Sequence, residues 1–194
     1  MNRTQPIDYK SVLSLFLPAG LLDYFDITEA SNMGDYFMLV LVEKDIVPEN
    51  LQDLPLISNG FHKPQSNIIV YLCVMNRTQP IDYKSVLSLF LPAGLLDYFD
   101  ITEASNMGDY FMLVLVEKDI VPENLQDLPL ISNGFHKPIT VTDFPVRDHT
   151  MYFRIKRRRW LDKSTGKSYS RDWNLVASGT RITAEFGAFL KELP

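Results

Sequence analysis

Residues 154–160, RIKRRRW, carry the densest chemistry in the chain: six of the seven are basic or aromatic. Lys163, Lys167, Arg171 and Trp173 follow within a short distance. Guanidinium and ammonium groups neutralise phosphates and release their condensed counterions. A two-stranded ribbon carrying such groups fits the major groove of a duplex. The candidate DNA contacts are therefore Arg154, Lys156, Arg157, Arg158, Arg159, Trp160, Lys163, Lys167, Arg171 and Trp173, with the two tryptophans either packing the hairpin or touching sugar and base. A basic run on a strand also has a plainer use, as a solvated charged edge that blocks aggregation.

Other chemistry is thin. The histidines are His62, His136 and His149, and the first two occupy one duplicated position. Asp143, Asp148, Asp162, Asp172 and Glu185 are scattered, and Asp143 and Asp148 flank a Phe-Pro bend as turn residues. The chain has no phosphate-cradling Gly-rich loop, no metal-spaced His pair and no nucleophile elbow. No catalytic residue, metal site or cofactor is expected, and the chain does not read as an enzyme. The single cysteine, Cys73, excludes a disulfide framework and a thiolate cluster. That usage points to a reducing, cytoplasmic setting. No run approaches the roughly 18 apolar residues of a membrane span, so no membrane partner is expected.

The elements that would position the basic run can be read from pattern. Residues 139–142 alternate as a strand, and Pro145 bends it. Residues 150–161 keep a period of two, which predicts one long strand. Met151, Phe153 and Ile155 would lie on one face, and Tyr152, Arg154, Lys156, Arg158 and Trp160 on the other. Residues 162–167 turn the chain, and 168–176 return as the partner strand. Thr183 can cap a helix over 184–193, with Ile182, Phe186, Phe189, Leu190 and Leu193 as its apolar face. Upstream, a helix over 82–91 ends at Pro92, and a second short helix fits 92–99. Residues 101–104 and 110–116 read as a hairpin around Asn106 and Gly108, its second strand central and buried on both faces. Residues 121–129 form a loop. The expected class is α+β: short N-terminal helices, an antiparallel sheet of about four or five strands with a long Arg-rich hairpin, and a closing C-terminal helix.

This reading applies to part of the chain only, because residues 1–64 recur letter for letter as residues 75–138. Drifting solenoid repeats are shorter and more numerous. Residues 65–74 link the copies, and the second copy opens on Met75. The expected organisation is a duplicated front over 1–64, a linker over 65–74, and a complete domain over 75–194. Both copies are equally able to pack on 139–194. The copy left over should expose an apolar strand, and a homo-oligomer or domain swap through it is expected.

Charge follows the same division. Each 64-residue copy has a balance of −5, the linker 0, and residues 139–194 +5, for a net −5. Within 75–194 an acidic front over 75–138 precedes a basic hairpin and helix over 139–194. Only the latter suits a polyanion.

GFHKPITVTDFPVRD (134–148), RIKRRRWLDKSTGKSYSRDWNLVASGTRIT (154–183) and EFGAFLK (185–191) resemble the N-terminal region of a family of bacterial insertion-sequence transposases. That region is often encoded as a separate small reading frame. SLFLPAGLLDYFDI (88–101) fits the same family more loosely. The resemblance implies a non-catalytic, DNA-binding module of a mobile element. Such a module recognises terminal repeats during DNA transposition, a form of DNA recombination. Its partners would be double-stranded DNA and a catalytic transposase subunit. Related transposases carry a zinc ribbon with a Cys-x-x-Cys-Gly knuckle after the Arg-rich strand. Here Asp162, Lys163, Ser164, Thr165 and Gly166 stand at that place. Without thiolates no zinc is expected, and turn chemistry must hold the loop. The alternative reading is a protein-interaction module that docks on the catalytic subunit through its acidic front or apolar helices.

Overall fold

The computed structural model describes residues 7–34, 37–44, 46, 81–171 and 173–193. The linker over 65–74, Cys73, His62, Asp172 and the first copy's proline loop lie outside the described residues. The chain divides into two bodies, Tyr9–Phe90 and one built on Leu91–Pro194.

The first body holds α1 (Tyr9–Leu13), α2 (Leu21–Tyr24), the strands β1 (Phe25–Asn32) and β2 (Phe37–Glu43), and α3 (Tyr83–Leu87) from the second copy. α1 and α3 are the same five residues, YKSVL, and pack against each other. β1 and β2 form a two-stranded antiparallel sheet. The expected helix over 82–91 is shorter than its pattern, because the chain tightens into turns where Leu89 and Phe90 bond back to Val86 and Leu87. Asp82 caps α3 by accepting the Lys84 N–H.

The second body begins with α4 (Leu95–Tyr98), β3 (Phe99–Asn106) and β4 (Tyr110–Glu117). Gly94 enters α4 at φ 72°, a left-handed conformation that glycine takes without steric cost. This confines the second helix to a single turn within 92–99. The Lys118 ammonium donates to the Leu96 and Asp97 carbonyls at 2.6 and 2.9 Å. A cation thus meets the orphan carbonyls at the end of the turn. In the first copy Lys44 does the same to Leu22 and Asp23. Both hairpins also share a register shift, between Ile27 and Glu29 and between Ile101 and Glu103. This local structure repeats among the residues described in both copies, so the sequence encodes it locally.

β5 (Leu130–Phe135), β6 (Ile139–Val146), β7 (His149–Lys156), β8 (Arg158–Asp162) and β9 (Ser168–Tyr169) follow, then α5 (Ala184–Glu192). The architecture is α+β as expected, but the main sheet is mixed rather than antiparallel. Its order is β3-β4-β7-β6, and β4 pairs with β7 in parallel. Parallel neighbours need a long crossover, and residues 118–148 supply it. β4 is one of the two inner strands, as its apolar run predicts. Leu113, Leu115, Val141, Met151 and Phe153 form a core at zero exposure on one sheet face. It is the second copy's hairpin that pairs with the C-terminal part.

Two expectations about the basic hairpin fail. The single strand over 150–161 is two strands in different sheets, broken at Arg157. The returning strand is two residues long, with pairs Trp160–Tyr169 and Leu161–Ser168 only. β8 finds its main partner in β5 instead, whose register slips between Ser132 and Phe135 around Gly134. Gly134 sits at φ 71°, so the Asn-Gly pair marks a bulge and not a loop.

α5 follows its cap signal. The Thr183 hydroxyl accepts the Phe186 N–H and donates to the buried Asp143 carboxylate at 2.6 Å. Asp143 is thus a strand residue on β6 rather than the expected turn residue, while Asp148 does lie in the β6–β7 turn. α5's apolar face is only partly covered. Phe186 and Phe189 pack on Phe144, but Phe189, Leu190 and Leu193 stay exposed. Between α4 and α5 lies a cavity of about 230 Å³, lined in part by Pro92, Tyr98, Trp173, Leu175 and Glu185.

Candidate nucleic-acid interface

The break at Arg157 re-sorts the basic residues. On β7, Met151, Phe153 and Ile155 face the core, and Tyr152, Arg154 and Lys156 face the other way, as the period predicts. On β8 the alternation restarts in a different sheet. Trp160 and Asp162 are buried there, and Arg158 points to the same inner side. Arg159 alternates to the opposite side of β8, Arg157 sits at the break itself, and both are half-buried. The expected face of Arg154, Lys156, Arg158 and Trp160 is therefore split: its last two members turn inward.

Arg158 is consumed internally. Its guanidinium donates to the Lys118 and Glu117 carbonyls at 3.2 Å each and to the Ser132 hydroxyl at 2.6 Å. It stacks over Phe135 and lies 3.8 Å from Asp119. One side chain thus joins the end of β4, the segment after it, β5 and β8. Arg171 plays a parallel part. Its Nε lies 3.7 Å from Glu117 Oε1, and its guanidinium sits over Tyr98 and Trp173. It also donates to the Ile120 carbonyl at 3.2 Å. Trp173 meets Phe99 and Tyr98 edge-on or tilted at 4.8 and 4.9 Å. Trp160, at 3 % exposure, packs the hairpin. Of the ten candidates, then, Arg158, Trp160, Arg171 and Trp173 hold the fold.

Arg154, Lys156, Lys163 and Lys167 make no side-chain hydrogen bond or ion pair among the described residues. Arg154, Lys163 and Lys167 are exposed. Arg157 donates to the Arg171 carbonyl at 3.2 Å, and Arg159 runs beside Gly134. Neither has a carboxylate partner among the described residues, and the Nε of each is buried with no acceptor. His136 sits beside them. Its N–H donates to the Arg157 carbonyl at 2.8 Å, and its Nε2 lies 2.6 Å from the Ser170 hydroxyl. Partial burial lowers its pKa, and the charges of Arg157 and Arg159 lower it further.

The turn over 162–167 contains no cysteine. Asp162 holds it. Its carboxylate accepts the Ser164 N–H at 2.8 Å and the Ser164 and Thr165 hydroxyls at 2.6 Å each. These hydroxyl bonds hold its pKa down at about 2. The Asp162 carbonyl accepts the Gly166 N–H, and Asp162 N–H donates to Lys167. Turn chemistry presents Lys163 and Lys167 at the tip. Among the described residues no group of three or more His, Cys, Asp or Glu side chains could hold a metal ion. No helix among them is long and apolar enough to cross a membrane. No family model, no curated protein and no solved structure matches the chain.

Proposed function

We propose that this chain is the non-catalytic DNA-binding region of an insertion-sequence transposase, recognising transposon ends. Arg154, Lys156, Arg157, Arg159, Lys163 and Lys167 would contact the DNA. The observation that carries the reading is the sorting of cations within 154–171. Two arginines are tied to carboxylates, Arg158 to Asp119 and Arg171 to Glu117, and to carbonyls, and the other six cations lack any carboxylate partner among the described residues. A solvated protective edge needs no such concentration of unneutralised charge. The transposase identity rests on the resemblance of 134–191. The reaction itself would belong to a separate catalytic subunit in the cytoplasm.

The test is fluorescence anisotropy of the full chain on duplexes with and without the element's terminal repeats, at several salt concentrations. Arg157→Ala/Arg159→Ala should weaken binding and reduce the salt slope by roughly 2, since each phosphate contact contributes about 0.9. Unchanged affinity and slope would remove these residues from the interface. Equal binding to scrambled duplexes would remove end recognition.

A second reading draws on α5. Exposed Phe189, Leu190 and Leu193 on a capped helix favour docking on a protein such as the catalytic subunit. Loss of co-purification with that subunit in Leu190→Asp, with DNA binding kept, would assign the two roles to separate surfaces.

A further inference from the structure

In the first body two identical segments meet. Tyr9–Leu13 and Tyr83–Leu87 are the same residues, and they pack on each other. Phe16 and Phe90 occupy equivalent positions in the two copies. Their ring centroids lie 5.6 Å apart at 41°. Lys10 lies over the Tyr83 ring at 5.9 Å. Val12 and Val86 are both 1 % exposed, and Leu13 and Leu87 both 0 %. From Tyr9 to Phe16 each residue has the burial of its equivalent, except that Phe16 is buried and Phe90 partly exposed.

A residue meets its own equivalent only near a two-fold axis. That is the geometry of an isologous contact, in which one patch serves both sides. A heterologous contact would set different patches against each other. The symmetry is local. Phe37 of the first copy packs on Phe90, whereas its equivalent Phe111 stacks on His149 at 4.6 Å.

We propose that residues 83–90 form a self-association surface whose occupant is a second copy of the same residues, and that the duplicated front supplies that copy within the chain. Two apolar faces that would each need a second molecule satisfy one another here. The chain is then a monomer that contains its own dimer contact. The pairing is independent of what the basic strand binds.

The experiment uses the full chain and reads mass by light scattering after size exclusion, with circular dichroism to follow folding. The wild type should have the mass of one chain. Val12→Asp spoils the first copy's face and frees α3, which should then take α3 of another molecule and double the mass. Val12→Asp/Val86→Asp spoils both faces and should return the mass to one chain. A Val12→Asp variant that stays at one chain overturns the proposal. So does a double variant that associates as much as the single one, because association would then run through another surface. A two-chain wild type that Val12→Asp dissociates overturns the assignment within the chain. Should an aspartate unfold the body, proximity is read instead in a Cys73→Ser background. There Phe16→Cys/Phe90→Cys should be bridged within one chain by a short bis-maleimide, and absence of that bridge counts against the pairing.

Discussion

Glu117 Oε2 accepts the backbone N–H of Arg158 at 2.8 Å, although 41 residues separate them. The carboxylate is 2 % exposed and ends β4 at the point where the chain passes from β7 to β8. Its other oxygen faces Arg171 at 3.7 Å, too far for a hydrogen bond, so the pair is held by charge. The break in the basic strand is thus built around one buried anion. The inward turn of Arg158 follows from it.

Removing either cation should therefore act on stability before it acts on binding. Arg171→Ala leaves Glu117 buried without its counter-charge, and Arg158→Ala removes several charge-assisted bonds to carbonyls. Each should cost about 3 kcal/mol of unfolding free energy. Arg154→Ala, on an exposed site, should change stability by no more than about 0.5 kcal/mol. Urea titration of the three variants checks the contrast. Equal stability across them would mean that the Glu117 cluster is not structural. It follows that Arg158→Ala is a poor probe of DNA contact, since its binding loss would report folding.

The sequence made some of this legible. Asn106 and Gly108 between apolar runs gave the β3–β4 hairpin, and the bond from Gly108 N–H to Asn106 Oδ1 shows the expected turn chemistry. Thr183 gave the start of α5. The break at Arg157 was not legible, because alternation in residues 150–161 runs through it in letters while the sheet changes beneath it. A period fixes faces only within one sheet. β5 was hidden because the bulge at Asn133-Gly134 interrupts its period. The role of Glu117 was hidden too, since its partners Arg158 and Arg171 lie far along the chain. The parallel pairing of β4 and β7 was equally hidden, as both strands would suit either direction.

Asp143 should make the fold prefer acid over neutral pH. Burial raises its pKa, partly opposed by the Thr183 hydroxyl. A folded-state pKa above the unfolded one gives stability that is complete below the unfolded value. That stability is lost as pH rises through the folded value. Asp143→Asn keeps an acceptor for Thr183 and carries no charge. Its melting temperature at pH 7 should equal or exceed that of the wild type, and its stability should vary less between pH 4 and 7. A lower melting temperature with unchanged pH dependence would show that the charge itself is useful.

Asp162 has the opposite sign. Its pKa is held at about 2 by the Ser164 and Thr165 hydroxyls, against an ordinary 3.8. Its contribution is present above the unfolded value and should fade as pH falls from about 4 through about 2. Asp162→Ala should remove that acid limb and loosen the turn bearing Lys163 and Lys167. Hydrogen exchange checks this at the Ser164 amide, which loses its carboxylate acceptor, and at the Gly166 amide, whose bond to the Asp162 carbonyl reads the loosening of the turn. Unaltered exchange would mean the loop is held by β8 and β9 alone.

The β6–β7 turn offers a gain. Arg147 and Asp148 sit at φ 51° and 64°, both left-handed, with Val146 paired to His149. Two residues of positive φ in a two-residue hairpin loop form a turn that favours glycine at its second position. Asp148→Gly should relieve that strain and raise stability by about 1 kcal/mol. Thermal unfolding reads it directly. A loss would show that the Asp148 side chain makes a contact worth more than the strain.

His136 provides a spectroscopic test of the DNA reading. Its pKa lies below the ordinary 6.5, first through partial burial and then through the charges of Arg157 and Arg159. A phosphate bound between those arginines would cancel part of their field and favour the imidazolium. The His136 pKa should therefore rise when a short duplex binds, with the shift shrinking as salt releases the complex. His149 stacks on Phe111 away from this charge and serves as the internal reference. Proton NMR of the imidazole resonances, titrated with and without duplex, separates the possibilities. A rise at His136 alone places the phosphate at Arg157 and Arg159. No movement at either histidine, with binding still present, would move the interface to Arg154, Lys156 and the loop lysines.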